Sequence, residues 1–167
     1  MPEPEQKLRR SMRYPGYDYR LAGGYFITIV LAGREPRFGV VDCGEMVLNR
    51  AGRMVVETWQ SLPERFPTTL LDEFIVMPDH MHAILFLTNH HADDGVPLSE
   101  IVRVFKSMTT TQYIKGVRDQ GWPRFDSHLW QSNYYDHIIR NDADLETRRR
   151  YIAGNPARWD AKRLGRA

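Results

Sequence analysis

The sequence has 167 residues, of which 42% are hydrophobic and 26% are charged, and its formal net charge is +2 at pH 7. This length and balance are typical of one soluble globular domain with its own core. The single cysteine, Cys43, excludes an internal disulfide and a thiolate-rich zinc site, which fits a reducing compartment. No apolar run is long enough to span a bilayer, and the charged, proline-bearing N-terminus does not look like a signal peptide. We therefore expect a cytoplasmic protein.

We expect a single domain with an N-terminal arm of about residues 1–22 and a C-terminal tail of about residues 157–167. Basic side chains are concentrated at both ends of the chain, in the arm and from residue 148 into the tail. The arginines that stand out are Arg9, Arg10, Arg13, Arg148, Arg149 and Arg150. Charge runs usually form a solvated surface. Tyrosines interleave with the first cluster and Trp159 follows the second, and this mixture also suits phosphate neutralisation and base stacking. Composition alone leaves both interpretations open.

The first half of the chain predicts a strand, a helix and a hairpin. Residues 25–31 are a nearly continuous β-rich apolar run and predict a central strand. Residues 45–62 carry apolar side chains near helical spacing and stop before Pro63, which predicts a helix. Residues 70–77 and 80–88 flank Pro78 and Asp79, which suit the centre of a tight turn, and so predict a β-hairpin.

Two histidines, His80 and His82, stand one residue apart on the second strand of this hairpin. Side chains alternate along a strand, so both imidazoles point to one face and Met81 points to the other. Such a pair makes half of a metal site, and we expect it at the edge of the sheet, open to a ligand. Spaced histidines also arise by chance, but an otherwise apolar strand has little reason to place two titratable rings side by side.

The second half predicts a long helix, a short strand and a last helix. The long helix covers residues 98–116, with Ser99 as a candidate cap. Residues 134–140 predict a short strand or edge segment. The last helix begins near Asn141 or Asp142 and should run to about Asn155, because Pro156 disfavours helical geometry in the residue before it.

Tyr151 and Asn155 are four residues apart and would lie one above the other on this last helix. The amide oxygen of Asn155 could complete a metal site, and the Tyr151 hydroxyl beside it would be a candidate nucleophile. The structural alternative is that Tyr151 packs on the sheet and Asn155 only caps the helix before Pro156. The residues alone leave the choice open.

A set of short motifs follows one order along the chain. The motifs are Tyr17-Asp18-Tyr19, Gly24-Tyr25-Phe26-Ile27-Thr28, Phe38-Gly39, Met77-Pro78-Asp79-His80-Met81-His82, Trp130-Gln131, Tyr135-Asp136-His137-Ile138-Ile139-Arg140 and Tyr151-Ile152-Ala153-Gly154-Asn155-Pro156. In this order and spacing the chain resembles the single-strand tyrosine transposases of the HUH nuclease superfamily. Within them it is most similar to the REP-associated tyrosine transposases, from about Arg9 to Trp159.

The resemblance implies an α/β (α+β) fold with a ferredoxin-like antiparallel sheet, helices against one face, and a C-terminal helix that carries the nucleophilic tyrosine near the strand bearing His80. It also implies a metal-dependent transposase and endonuclease that cuts single-stranded DNA near hairpins through a 5′-phosphotyrosine. The nucleophile would be Tyr151. The implied ligands of Mg²⁺ or Mn²⁺ are His80, His82 and Asn155, and the implied supporting residues are Asp136 and His137.

Two other functions fit the same residues. One is a non-catalytic protein that binds single-stranded DNA hairpins, and the other is a metal-dependent phosphoesterase in which water replaces the tyrosine. The expected partner is single-stranded DNA with a hairpin or palindromic repeat, with no membrane association. The sequence leaves open whether the protein is a monomer or a homodimer.

Overall fold

The computed structural model describes residues 23–88 and 95–165. Its strands are β1 Gly23–Val30, β2 Gly39–Asp42, β3 Glu45–Leu48, β4 Thr69–Val76, β5 His80–Leu87 and β6 Tyr135–Ile139, and its helices are α1 Arg50–Arg65, α2 Leu98–Gln120, α3 Asp142–Ala153 and α4 Asn155–Arg163, with a 3₁₀ turn at Ala32–Arg34. The arm with Arg9, Arg10 and Arg13 lies outside the described residues. Within the two described ranges, no helix is long and apolar enough to cross a membrane.

The main sheet has four antiparallel strands in the order β4-β5-β1-β6. The predicted hairpin is therefore confirmed as β4 and β5, the predicted central strand is β1, and the predicted edge segment is β6. The position expected for the two histidines was wrong, because β5 is an inner strand paired on both sides. His80 and His82 instead occupy the beginning of that strand and open onto one face of the sheet.

Alternation along β1 and β5 gives the sheet two different faces. One face builds the larger core, in which Ile27 and Met81 pack with Trp59 of α1 and Phe105 of α2. The other face builds a smaller cluster of three buried residues, Phe26, Ile84 and Ile152, the last of which belongs to α3. The expected placement of helices against one face holds for α1 and α2, whereas α3 covers the opposite face. This second face is the one that carries the histidine pair.

A second sheet has two strands, β2 and β3, and β3 occupies the place where the sequence predicted the start of the first helix. Cys43 and Gly44 both have positive φ angles, 48° and 76°, which is the backbone required at the centre of a type I′ hairpin turn. The helix then begins at Arg50, because the Asn49 side chain accepts a hydrogen bond from the Gly52 N–H at 2.9 Å. It also continues through Pro63 to Arg65, since a proline in the last turn removes only one backbone donor.

The C-terminal helices differ from the prediction at their ends. Helix α2 runs four residues beyond Gly116 to Gln120 and stops at Gly121, which is left-handed with φ 69°. Its cap residue is Pro97, not Ser99. Helix α3 begins as predicted, with Asn141 accepting a hydrogen bond from the Asp144 N–H at 2.8 Å.

The last helix was expected to run to Asn155, but α3 ends at Ala153 and a separate helix, α4, starts at Asn155. Pro156 does not end the structure because it lies in the first turn of α4, where a backbone N–H has no helical partner anyway. Tyr151 and Asn155 therefore lie on two consecutive helices joined at Gly154, and not on one helix as predicted.

Candidate active site

The two histidines lie side by side on the α3 face of the sheet. Their ring centroids are 4.7 Å apart, and the rings meet at an interplanar angle of 72°. His80 is 9% exposed and His82 6% exposed. Two polar rings this deeply buried need specific partners, because an unpaired buried polar group costs free energy.

Each histidine has a hydrogen-bond partner at Nδ1. Thr28 Oγ1 lies 2.7 Å from His82 Nδ1, across the β1–β5 pair. Asp79 Oδ1 lies 2.5 Å from His80 Nδ1, and an ionised carboxylate only accepts, so that nitrogen carries the proton. Such partners fix the orientation of imidazoles that bind metals. The arrangement leaves Nε2 of both rings for a ligand.

The environment of His82 keeps its ring neutral. Burial, the neighbouring His80 and the charge of Arg158 together lower the pKa of His82 to about 3. Only a neutral imidazole has a lone pair to give to a metal ion. The site therefore holds this side chain in the ligating form at physiological pH.

An aromatic cluster joins α3 and α4 to the histidine pair. Tyr151 of α3 meets the His82 ring edge-on at a centroid distance of 5.2 Å. Phe26 of β1 stacks on His82 at 5.4 Å and contacts the edge of Tyr151 at 5.9 Å. Trp159 of α4 lies 5.8 Å from His80. The structure thus brings the predicted nucleophile, Tyr151, into one cluster with the predicted ligands His80 and His82.

Asn155 lies on the chain between Tyr151 and Trp159, which both contact the histidines. It is 7% exposed, and its side-chain amide makes no hydrogen bond with any described residue. Residues 23–88 and 95–165 contain no group of three or more His, Cys, Asp or Glu side chains placed to hold a metal ion. The chemistry of two imidazoles and one amide oxygen suits a neutral three-ligand site, and the role of Asn155 as the third ligand stays a prediction.

The three predicted DNA-binding arginines of α3 differ in their surroundings. Arg149 pairs with Asp72 of β4 at 2.6 Å and with Glu146 at 2.5 Å. Arg148 lies 3.5 Å from Asp144, and its guanidinium carbon is 5.2 Å from the Phe26 ring centre. The Arg150 Nε donates to the Glu146 backbone oxygen at 3.4 Å. Their role in DNA binding stays a prediction, and Arg149 is the one already held by two carboxylates.

The two predicted supporting residues lie on β6. Asp136 is buried opposite Ile27 of β1. His137 Nε2 lies 2.8 Å from an oxygen of Asp144, near the beginning of α3. His137 thereby ties the edge strand to the helix that carries Tyr151.

Sequence reasoning gave no site role to Thr28, Asp79, Phe26 or Arg158, and it considered Trp159 only as a base-stacking side chain of the C-terminal basic cluster. Asp79 could have been found, since a carboxylate next to a histidine in sequence is a common orienting partner. The others reach the site through strand register or through the turn from α3 into α4. Nothing in the local sequence marks those contacts.

The chain has an α+β fold in which the tyrosine-bearing helix α3 packs over the face of an antiparallel sheet that carries the paired histidines. The pattern of the family described as IS200-like transposases matches residues 50–155, so the chain belongs to that family. It is a transposase and therefore an enzyme, as the resemblance implied.

Two proteins of Haemophilus influenzae resemble the chain in sequence. One, described as an uncharacterized protein, is 34% identical over 166 residues, which cover 93% of this chain and 92% of that protein. The other is named, provisionally, a REP-associated tyrosine transposase, and is 28% identical over 144 residues, which cover 84% of this chain and 74% of that protein.

Solved structures share the fold. A REP-associated tyrosine transposase bound to a REP hairpin matches with a TM-score of 0.62 and 23% identity, over 87% of this chain and 73% of that chain. A transposase from Deinococcus radiodurans R1, also named provisionally, matches with a TM-score of 0.54 and 14% identity, over 85% of this chain and 96% of that chain. These likenesses confirm the predicted α+β fold.

Proposed function

We propose that this protein is a metal-dependent single-stranded DNA endonuclease and strand transferase that cuts near DNA hairpins and uses Tyr151 as its nucleophile. The observation that carries the proposal is the edge-on contact of Tyr151 with His82 at 5.2 Å. A phenol placed beside two histidines with free Nε2 atoms suits covalent attack on a phosphodiester.

The reaction is a transfer of one phosphodiester. The Tyr151 oxygen loses its proton to water and bonds to phosphorus, and the bond from phosphorus to the 3′ oxygen breaks. The products are a 5′-phosphotyrosine and a free 3′-hydroxyl, which takes a proton from water. The covalent link conserves the energy of the broken bond, so a 3′-hydroxyl can attack it later and rejoin strands.

His80, His82 and Asn155 would hold a divalent metal, Mg²⁺ or Mn²⁺. Such an ion supplies charge that polarises a non-bridging phosphate oxygen and orients the group for attack. Asp79 and Thr28 would orient the His80 and His82 rings, because their hydrogen bonds engage Nδ1 and leave Nε2 of each ring for the metal. Phe26 and Trp159 pack against the rings and limit the access of water.

A hairpin of single-stranded DNA is the substrate we propose. The support is the fold shared with a transposase bound to a REP hairpin, together with Arg148 and Arg158, whose guanidinium groups lie against the Phe26 and Tyr151 rings. Phosphate neutralisation by arginines and stacking on exposed aromatic rings suit single strands of this kind. Tyr151 itself is exposed enough, at 42%, to meet a strand from solution.

The test is covalent capture. The wild-type protein, Tyr151→Phe and Tyr135→Phe are incubated with Mn²⁺ and labelled single-stranded hairpins from the neighbourhood of the gene, and adducts are resolved on denaturing gels. We expect an adduct with the wild type and with Tyr135→Phe, and none with Tyr151→Phe, although its DNA binding is retained. Cleavage without an adduct would identify a phosphoesterase that uses water, and binding without cleavage would identify a non-catalytic binder.

A further inference from the structure

Arg158 lies in the first turn of α4 and reaches back over the junction with α3. Its guanidinium carbon is 4.2 Å from the centre of the Tyr151 ring. Its Nη2 donates a hydrogen bond to the backbone oxygen of Tyr151. The side chain therefore contacts the proposed nucleophile on both its ring and its backbone.

The backbone contact has a cause in the helix geometry. Tyr151 lies in the last turn of α3, where carbonyl groups lose their helical N–H partners. The Gly154 N–H bonds to the Arg150 oxygen, and the next described bond across the junction joins the Arg158 N–H to the Gly154 oxygen. Arg158 thus supplies a donor to a carbonyl that the helix leaves open.

Gly154 makes room for this guanidinium. A Cβ at Gly154 would lie 2.7 Å from Arg158 Nη1 and 3.3 Å from the Arg150 backbone oxygen. The guanidinium is the end of a flexible side chain, so an alanine at this position would move Arg158 more readily than it would move the helix. Gly154 therefore offers a way to displace the guanidinium without removing its charge.

Arg158, like Arg150, differs from three neighbouring arginines in its charge environment, and of these two it is Arg158 whose guanidinium lies against the Tyr151 ring. Arg149 pairs with two carboxylates, Arg148 with Asp144 and Arg163 with Asp160, whereas Arg158 forms no ion pair within residues 23–88 and 95–165. A guanidinium has five N–H donors in a planar fork, which matches a phosphate group. The Arg158 guanidinium has no carboxylate partner among the described residues and lies against the Tyr151 ring. It is therefore well placed to bind the phosphate group that Tyr151 would attack.

We infer that Arg158 positions the Tyr151 ring for attack and binds the phosphodiester that Tyr151 attacks. The inference rests on the proposed function above, and it adds a residue outside the histidine pair and outside the basic run of α3. The ring contact holds Tyr151 against His82, while the guanidinium edge left free by the backbone bond binds the phosphate oxygens.

The first measurement is the single-turnover rate of adduct formation at saturating hairpin DNA with Mn²⁺. We expect Arg158→Ala to lower this rate about 100-fold, the size of effect seen when one preorganised donor is removed from a reacting anion. Arg158→Lys should also be slow, because an ammonium group cannot stack and donate as a planar fork. Gly154→Ala should slow the reaction while it keeps every charge, and added methylguanidine should restore part of the rate of Arg158→Ala.

The second measurement is hairpin affinity at several salt concentrations, in a Tyr151→Phe background where no adduct forms. Loss of one phosphate contact should reduce the slope of log affinity against log salt by about 1 in Arg158→Ala. Arg163→Ala is the matched control, since it removes the same charge from the same helix without touching Tyr151. Its rate should stay within about 2-fold of the wild type.

The inference is overturned if Arg158→Ala reacts as fast as Arg163→Ala, or if its salt slope is unchanged. A rate loss that methylguanidine does not relieve, with Arg158→Lys fully active, would assign Arg158 a structural role only. These failures differ from failure of the proposed function, which would appear as no adduct in the wild type. The salt slope in the Tyr151→Phe background would report the phosphate contact even then.

Discussion

Thr28 of β1 and His82 of β5 are direct partners across the central strand pair, and the Thr28 hydroxyl lies 2.7 Å from His82 Nδ1. The contact depends on strand register, because a slip of one residue would turn Thr28 to the other face of the sheet. It determines which nitrogen of His82 is left for a ligand. The first strand therefore orients a side chain of the fifth, the proposed metal ligand His82.

Thr28→Val removes this hydroxyl at nearly constant shape. We expect affinity for Mn²⁺ to fall about 10-fold or more, as for other losses of an orienting partner. Stability should fall by only about 1 kcal/mol, the net value of one hydrogen bond. Calorimetric titration and chemical denaturation would measure the two quantities.

Thr69→Val is the matched control for Thr28→Val. Thr69 is equally a strand threonine, 1% exposed, but its buried hydroxyl makes no hydrogen bond with a described residue. Its replacement should leave metal affinity unchanged and stability equal or slightly higher. Equal losses of metal affinity in both variants would show that the Thr28 hydroxyl does not orient His82.

The parts of the fold that the sequence predicted have strong local patterns. The β4–β5 hairpin, the apolar run of β1 and most of α2 all follow from periodicity and turn residues. The helix predicted for residues 45–48 was wrong, because Met46 and Val47 suit a helical stripe as well as a strand. Only their pairing with Val41 and Val40, after the Cys43–Gly44 turn, decides between the two.

The candidate site also has one part that follows from local sequence patterns and another part that does not. His80 and His82 share a face because alternation is a local rule, and the sequence predicts this. The contacts of Phe26 with His82 and of Arg158 with Tyr151 depend on register and on the turn at Gly154. The effect predicted for Pro156, an end to the last helix at Asn155, was wrong. A proline ends a helix or begins one according to whether a new helix starts beside it, and here α4 does.

The second prediction concerns pH and His82. The folded pKa is about 3, against 6.5 for an unperturbed histidine, so between these values the unfolded chain binds the proton and the folded chain does not. The free energy of unfolding is therefore not reduced by His82 above pH 6.5. It decreases as the pH falls from 6.5 towards 3, because the unfolded chain alone gains the proton. Between pH 7 and pH 5 the loss should be about 2 kcal/mol.

Denaturation of metal-free wild type and His82→Gln across this pH range isolates the effect from other titrating groups. The wild type should lose more stability than the variant on acidification from pH 7 to pH 5. Parallel pH curves for the two proteins would show that His82 is not held neutral by its surroundings.

The third prediction concerns Arg149. Its guanidinium lowers the pKa of Asp72 and joins α3 to β4. Because the pair is partly exposed, a double-mutant cycle with Arg149→Ala and Asp72→Asn should give a coupling free energy of about 1 kcal/mol. Arg149→Ala should then change the salt dependence of hairpin binding less than Arg150→Ala, since Arg150 has no carboxylate partner among the described residues.

Binding titrations at several salt concentrations compare the two arginines directly. A larger drop in slope for Arg149→Ala than for Arg150→Ala would mean that DNA displaces Asp72 and Glu146 from Arg149. In that case the ion pairs would belong to the DNA-free state only.

The fourth prediction couples metal and DNA. Two imidazoles and an amide bring no negative charge to a divalent ion, so its affinity for the free protein should be weak. A DNA phosphate adds an oxygen ligand and a charge, and each partner should then raise the affinity of the other by the same factor. Titration of Mn²⁺ into Tyr151→Phe with and without hairpin DNA measures this factor, and equal affinities would contradict the three-ligand site.

The central claim is that Tyr151 forms a covalent bond to DNA through a 5′ phosphate. Its most direct test is mass spectrometry of the nuclease-trimmed and protease-digested product of wild-type protein, Mn²⁺ and a single-stranded hairpin. We expect one modified peptide, with a nucleotide joined through its 5′ phosphate to Tyr151. A nucleotide on Tyr134 or Tyr135, a 3′ linkage, or cut DNA with no modified peptide would contradict it.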